Sequence, residues 1–179
     1  PNTLHLADLA AGTVEPLKSM PARFDASTAV VDQFDAISSD GTAVPYSAVR
    51  PRDLAFDGNA PTLLYGYGGF QVSMTPAYSG ALGKLWIEAG NVHVVANIRG
   101  GGEFGPHWHQ AALKEPRLRA YEDFAAVAPD LVARKITSRE HLALNGGSNG
   151  GLLMGNMVTL YPDLACAVSC EVPLLDMKR

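Results

Sequence analysis

Apolar positions along this chain recur with two spacings, which together predict strands alternating with helices. Alternating or β-branched apolar runs are typical of strands, and apolar residues three or four positions apart are typical of helices. Strands are predicted at 3–9, 13–17, 29–37, 42–49, 61–65, 92–98, 141–144 and 165–172, and helices at 75–90, 118–132 and 151–161. This alternation predicts an α/β fold with a mostly parallel sheet and helices on both faces.

The first predicted helix has recognisable ends. Thr75 followed by Pro76 is typical of an N-cap and a first helical position, and Gly90 would close the helix. Gly80 and Gly83 lie inside it, and each weakens a helix by roughly 1 kcal/mol relative to alanine. We therefore expect a helix here, but a weakened one.

The amino-terminal hairpin is set apart from the remainder of the chain. Its two strands are followed by Met20–Arg23, which is typical of a linker. A lone hairpin is at best marginally stable in water. We therefore predict that residues 1–23 are the edge of another β domain and that residues 24–179 form the main domain.

Composition narrows the possible partners. The 179 residues are 47% hydrophobic, enough for one sizeable core, and their net charge of −4 gives no basic surface for nucleic acid. No apolar run reaches the length of a membrane span, so neither a membrane nor nucleic acid is expected as a partner. Cys166 and Cys170, on one predicted strand, would lie roughly 13 Å apart, too far for a disulfide. Free thiols fit a cytoplasmic location, with a periplasmic or secreted one as alternatives.

The stretch Leu142–Met154 carries the strongest chemical signal. An apolar run ends in Gly146-x-Ser148-x-Gly150, and a helical pattern follows at once. A G-x-S-x-G motif between a strand and a helix is the signature of a nucleophile elbow, in which a Cβ on either glycine would clash. Ser148 would present its hydroxyl there, and the Asn149 N–H would donate to an oxyanion. The alternative, a flexible glycine-rich loop, does not account for the strand and helix on either side.

Two other motifs suggest a cofactor or a metal ion, with less support. Residues 100–105 match G-x-G-x-x-G, and Asp123 lies near the distance of a ribose-binding acid, but no helix opens inside the glycine motif as dinucleotide binding requires. A glycine loop that shapes the edge of a cleft fits better. Glu103, His107 and His109 lack a further ligand at zinc-site spacing. We expect neither a cofactor nor a metal ion.

The segment Gly66–Phe70 follows an early predicted strand. In hydrolases with a nucleophile elbow, a glycine-rich loop at this place supplies the second oxyanion donor. Tyr67 stands where such a motif would begin, and its phenol hydroxyl is able to act as the donor. The alternative is that Tyr67 only packs.

Three motifs, residues 64–70, 96–105 and 145–151, together closely resemble the prolyl oligopeptidase family of serine peptidases. Their order and spacing also fit, and the resemblance covers about residues 29–179. It implies an α/β-hydrolase domain joined to a β-propeller, with residues 1–23 as the last propeller strands. It also implies that Ser148 is the nucleophile, that Tyr67 O–H and the Asn149 N–H are the oxyanion donors, and that Phe70 borders the substrate pocket.

The chain departs from the family pattern after the elbow. Hydrolase-fold triads run serine, acid, histidine along the sequence, yet no histidine follows Ser148. Asp176 lies after the next strand, but the family places both the acid and the histidine further on, so Asp176 is interpreted as structural. The chain is therefore interpreted as the amino-terminal part of a peptidase domain.

The expected function follows from this resemblance. We expect a serine oligopeptidase that hydrolyses short peptides, with a preference for cleavage after proline, through an acyl-enzyme on Ser148. These 179 residues alone are expected to be inactive, with the missing carboxyl-terminal segment and propeller as partners. An esterase or acylaminoacyl-peptide hydrolase on the same scaffold is one alternative. A non-catalytic binding module that has lost its base is another.

Overall fold

The computed structural model describes residues 2–75 and 77–178. Its strands are β1 (Thr3–Asp8), β2 (Thr13–Ser19), β3 (Ala29–Ile37), β4 (Ala43–Pro51), β5 (Thr62–Gly66), β6 (Val92–Ala96), β7 (Leu142–Gly147) and β8 (Ala167–Glu171). Its helices are α1 (Gly80–Leu82), which continues as a π-helical turn (Gly83–Ile87), α2 (Pro106–Gln110), α3 (Leu118–Ala133) and α4 (Asn149–Leu160). Short 3₁₀ turns lie at Glu115–Arg117 and Arg139–His141.

The main sheet has the predicted α/β character. Within the described residues its strand order is β3-β4-β6-β5-β7-β8. The pairs β6/β5, β5/β7 and β7/β8 are parallel, whereas β4 is antiparallel to both of its neighbours. A turn at Asp40 and Gly41 joins β3 to β4, with Gly41 at φ 83°. The mostly parallel sheet is therefore confirmed.

One face of this sheet, the covered face, is closed by α3 and α4. Leu64 on β5 and Val94 on β6 are fully buried there. Backbone and helices approach so closely that a Cβ built on Gly66 would lie 2.6 Å from the Phe124 ring and 3.0 Å from the Leu153 side chain. The core of the domain therefore lies between this face and the two helices.

The opposite face, the open face, is covered less completely. Leu63, Tyr65, His93 and Val95 alternate with the core residues along β5 and β6, and each is only partly buried. The segment Gly80–Ile87 packs on this side, which confirms that helical segments lie on both faces. Beside that segment a groove of about 720 Å³ remains along the strands.

The first helix begins later than predicted. Ser79, not Thr75, is its N-cap, and the Ser79 hydroxyl accepts a hydrogen bond from the Leu82 N–H at 3.3 Å. Pro76 lies outside the described residues. A Cβ on Gly83 would overlap the Phe24 ring, so packing against Phe24 determines the backbone here more than helix propensity does. Gly90 follows the segment at φ 84°, as the predicted helix end requires.

The amino-terminal hairpin is present as a separate two-stranded antiparallel sheet of β1 and β2. Its side chains are exposed, among them Leu4, Leu6 and Leu17. The assignment of residues 1–23 to a propeller, and the boundary at residue 24, remain predictions. Among the described helices none is both long and apolar enough to cross a membrane.

Candidate active site

The backbone at Ser148 has the strain that the elbow motif predicts. Ser148 lies between β7 and α4 with φ 57° and ψ −113°, a conformation that non-glycine residues rarely adopt. Such a residue costs on the order of 1–3 kcal/mol and persists only where its surroundings enforce it. The Ser148 N–H donates to the Glu171 carbonyl on β8 at 3.0 Å, and its carbonyl accepts from the Leu152 N–H in α4 at 3.1 Å. Strand and helix together therefore hold the turn.

Two glycines make this turn possible. A Cβ on Gly146 would overlap the carbonyl oxygen of Gly150, and a Cβ on Gly150 would lie 2.6 Å from the carbonyl oxygen of Gly66. Gly147 differs, because a Cβ there would meet its nearest neighbour, Glu171, at an ordinary 3.6 Å. The first and last glycines of the motif are therefore required by close backbone approach, and the middle one is not.

The Ser148 side chain is partly exposed at the amino end of α4. No hydrogen bond joins its hydroxyl to another residue within the described ranges. The N-terminus of a helix favours negative charge, because its free N–H groups and aligned peptide dipoles point toward it. The hydroxyl is thus placed where an oxyanion would be stabilised.

The loop after β5 lies against this elbow. The strands β5 and β7 pair in parallel, so Tyr67 emerges beside the residues that lead into Ser148. A Cβ on Gly150 would be 3.7 Å from the Tyr67 Cα, and the Asn149 Nδ2 donates to the Tyr67 carbonyl at 2.5 Å. Ser148, Asn149 and Tyr67 are thus brought together at the carboxyl end of the sheet. Their catalytic roles remain predictions.

Phe70 ends the same loop. It has φ 53°, its neighbour Gln71 has φ 56°, and the Phe70 side chain is 69% exposed. Two successive strained residues turn the chain sharply and present the phenyl ring to solvent. Its predicted place at the border of a substrate pocket remains a prediction.

Sequence reasoning did not identify the partner of Asp123. This carboxylate, weighed as a ribose ligand, is fully buried and receives hydrogen bonds from Arg99 at 2.8 Å (Nε) and 2.6 Å (Nη2). Arg99 also donates to Asp40 at 2.6 Å. The bond from Arg99 holds the pKa of Asp40 far below its usual range, and that to Asp123 raises the pKa of Arg99. Asp123 therefore anchors the loop after β6.

That glycine loop packs directly on the loop after β5. A Cβ on Gly100, at φ 97°, would lie 2.5 Å from the Gly68 carbonyl oxygen. The Nδ1 of His109 lies 2.6 Å from the Gly100 carbonyl oxygen. The loop at residues 100–105 thus packs against the loop that carries Tyr67, and its place at the edge of a cleft remains a prediction.

None of the histidines of the described residues is hydrogen-bonded to Ser148. His93 lies on the open face, where burial lowers its pKa to about 4. His141 precedes β7, at the far end of that strand from Ser148, and contacts Ser138. Glu171, beside the elbow, accepts from the Asn145 side chain at 2.8 Å. Within the described residues, Ser148 and its two prospective oxyanion donors thus lie together with no histidine hydrogen-bonded to the serine.

Comparison with known proteins points to one family. The model of the Prolyl oligopeptidase family matches residues 77–179. An uncharacterised peptidase of Sinorhizobium fredii is 58% identical over 177 residues, which are 99% of this chain and 24% of that protein. A prolyl endopeptidase of Elizabethkingia meningoseptica is 40% identical over the whole chain and 25% of its own length.

Solved structures agree with these sequence matches. A post-proline cleaving enzyme from Rickettsia typhi superposes with a TM-score of 0.92 at 44% identity, covering 98% of this chain and 25% of that one. An oligopeptidase B from Leishmania major gives 0.89 at 34% identity, with the same coverage. The fold is therefore an α/β-hydrolase-like portion of such enzymes, and the chain spans about a quarter of the length of the relatives it matches.

Proposed function

The chain belongs to the prolyl oligopeptidase family, and from this premise we propose that the whole protein is a serine oligopeptidase whose nucleophile is Ser148. The observation that carries the proposal is the strained elbow at Ser148, with φ 57° and glycines on both sides that close contacts require. Strained residues of this kind cluster at functional sites, where the surrounding structure enforces them.

The proposed reaction is an acyl transfer in two stages. The Ser148 oxygen attacks the scissile carbonyl while its proton passes to a histidine, which then delivers it to the leaving amine. Water, deprotonated by the same histidine, attacks the acyl-enzyme, and the acid product leaves with Ser148 restored. In both stages negative charge develops on the carbonyl oxygen.

Tyr67 O–H and the Asn149 N–H are the proposed donors to that oxygen. Support comes from their placement, since Asn149 is the first residue of α4 and its side chain contacts the Tyr67 carbonyl. Removing one oxyanion donor commonly lowers kcat about 10²–10³-fold. Tyr67 is therefore expected to act on kcat more than on KM.

The histidine and its acid are proposed to come from outside residues 149–179, because that segment contains no histidine. We propose a carboxyl-terminal continuation of the peptidase domain as their source and a propeller beside it as a screen for the site. By themselves the 179 residues are expected to hydrolyse no peptide, since an unassisted serine hydroxyl is a weak nucleophile. The two free thiols support a proposed cytoplasmic location.

Short peptides cleaved after proline are the proposed substrates. The names of the relatives support this, since they include prolyl endopeptidases and a post-proline cleaving enzyme. Phe70 is proposed to border the pocket, because its exposed ring stands on the loop that carries Tyr67. Fold and elbow alone would equally suit an ester substrate.

The test is a comparison of kcat/KM for matched substrates of the whole protein. Chromogenic tetrapeptides that differ only in proline or alanine before the cleaved bond are assayed beside a nitrophenyl ester, with Ser148→Ala as control. We expect the proline peptide to be preferred at least tenfold and Ser148→Ala to abolish its turnover. Turnover of the ester through Ser148 with cleavage of neither peptide would support the esterase alternative, and peptide binding without turnover would support a binding module.

A further inference from the structure

Arg117 bridges the two segments that carry the proposed oxyanion donors. It ends the 3₁₀ turn before α3, and its side chain is partly buried. Its Nη1 donates to the Gly68 carbonyl at 2.7 Å and its Nη2 to the Asn149 Oδ1 at 3.2 Å. One guanidinium therefore ties the loop after Tyr67 to the first residue of α4.

The bond from Arg117 also determines the orientation of the side-chain amide of Asn149. A guanidinium only donates hydrogen bonds, so the atom that faces it must be the amide oxygen. The Asn149 Nδ2 is then left to donate to the Tyr67 carbonyl, at 2.5 Å. Without Arg117, only the bond to the Tyr67 carbonyl would hold this orientation among the described hydrogen bonds of the Asn149 side chain.

The space around this contact leaves the amide little freedom. A Cβ built on Gly69 would lie 2.6 Å from the Asn149 Cγ, so the loop backbone is pressed against that side chain. Arg117 is itself held by Tyr121, whose hydroxyl lies 3.4 Å from the Arg117 Nε and whose ring centre lies 5.3 Å from the guanidinium carbon. The resulting chain of contacts runs from α3 to both donor segments.

The charge of Arg117 is not matched by a carboxylate. None of the ion pairs within the described ranges involves Arg117, whereas Arg99 and Arg119 each lie near Asp40. Its hydrogen bonds go instead to a carbonyl and an amide oxygen. A positive charge left unneutralised in a partly buried position favours the negative charge that develops on a neighbouring oxyanion.

We propose that Arg117 is a positioning residue of the oxyanion hole. By holding the Gly68 carbonyl and the Asn149 side chain, it fixes the Tyr67 loop and the Asn149 backbone N–H relative to Ser148. This inference rests on the proposed function. Arg117 acts through the two donors and not by contact with the substrate. Misplacing a catalytic group by about 1 Å can cost 10²-fold in rate, so the expected loss on removing Arg117 is about 10- to 100-fold in kcat.

The test compares variants of the whole protein with a matched control. Arg117→Met keeps an unbranched stem but removes the donors, and Arg117→Lys keeps the charge and one donor group. Arg119→Met is the control, because Arg119 lies two residues further on and is exposed. The readouts are kcat and KM on the chromogenic peptide, the inhibition constant of a peptide aldehyde that forms a tetrahedral adduct, and the melting temperature.

Arg117→Met is expected to lower kcat about 10- to 100-fold and to change KM by no more than about threefold. The inhibition constant of the aldehyde should rise by a factor similar to the loss in kcat. Arg117→Lys should recover part of both losses, and Arg119→Met should stay within about twofold of wild type. In a Tyr67→Phe background, Arg117→Met should cost less than in wild type, because one of the donors that it positions is already gone.

Wild-type kcat and aldehyde affinity in Arg117→Met would overturn the inference, as would a change in KM alone. If Arg117→Met does not fold, the inference is tested with Arg117→Lys and Arg117→Gln instead. Wild-type kcat in both of these variants would overturn the inference. The proposed function fails separately: in that case the wild-type protein itself would show no turnover that depends on Ser148.

Discussion

The two faces of the main sheet differ in how completely they are packed. On the covered face, Leu64 and Val94 are fully buried beneath α3 and α4, and the same contacts fix Gly66 and the elbow. On the open face, the adjacent residues Leu63 and Val95 border a groove of about 720 Å³. The packing of the covered face, and not that of the open face, therefore positions Ser148.

The location of the strained residue follows from this difference. Ser148 keeps φ 57° because β8 and α4 hold the turn on either side, and α4 packs on the covered face. Strain needs rigid surroundings to persist. The groove on the open face offers none of the packing that the elbow needs.

The largest expected effect is on the free energy of unfolding, and it should differ between two adjacent leucines of β5. Leu64→Ala leaves a cavity in the covered face and should lower the free energy of unfolding by about 2–5 kcal/mol. Leu63→Ala, the matched change on the open face, should cost less than half as much, because Leu63 is only partly buried. Urea unfolding of both variants checks this, and equal losses would show that the two faces are equally packed.

A second pair of substitutions compares two neighbouring glycines of the elbow. Gly146→Ala places a Cβ against the Gly150 carbonyl, which only a backbone shift relieves, so kcat of the whole protein should fall about 10²-fold, or about 2.7 kcal/mol. Gly147→Ala meets only ordinary contacts and should remain within about threefold of wild type. Equal activity of the two variants would contradict the close approach of strand and helix.

A smaller effect is the pH dependence of the free energy of unfolding, to which His93 on the open face contributes. Burial lowers the pKa of His93 to about 4, whereas an unfolded histidine has a pKa near ~6.5. The folded state therefore loses stability as pH falls below ~6.5 and has lost the full contribution once pH is below the folded pKa. Between pH 7 and pH 5, wild type should lose about 1–2 kcal/mol more than His93→Gln in urea unfolding. Parallel losses would show that His93 is solvated on this face.

Local patterns predicted most of the secondary structure. The strand at 29–37 matches the structure at both ends, and the elbow was found because the motif and its flanking strand and helix are contiguous in sequence. The predicted start of the first helix was wrong, because the backbone of this helix depends on the packing of Phe24 against Gly83, 59 residues away. Packing over that distance leaves no local signal.

The contacts that support the site were beyond sequence reasoning for the same reason. Arg99 binds Asp123 across 24 residues, and Arg117 binds Gly68 across 49. Nothing in the sequence selects the partner of either arginine. Residues that act through others are therefore found only once the loops are placed in space.

The most direct test of the central claim is to locate the nucleophile chemically. The whole protein and its Ser148→Ala variant are treated with a fluorophosphonate, and the adduct is mapped by mass spectrometry. We expect a single adduct on Ser148 of the wild type and none on the variant. An adduct on another residue, or labelling that persists unchanged in Ser148→Ala, would contradict it.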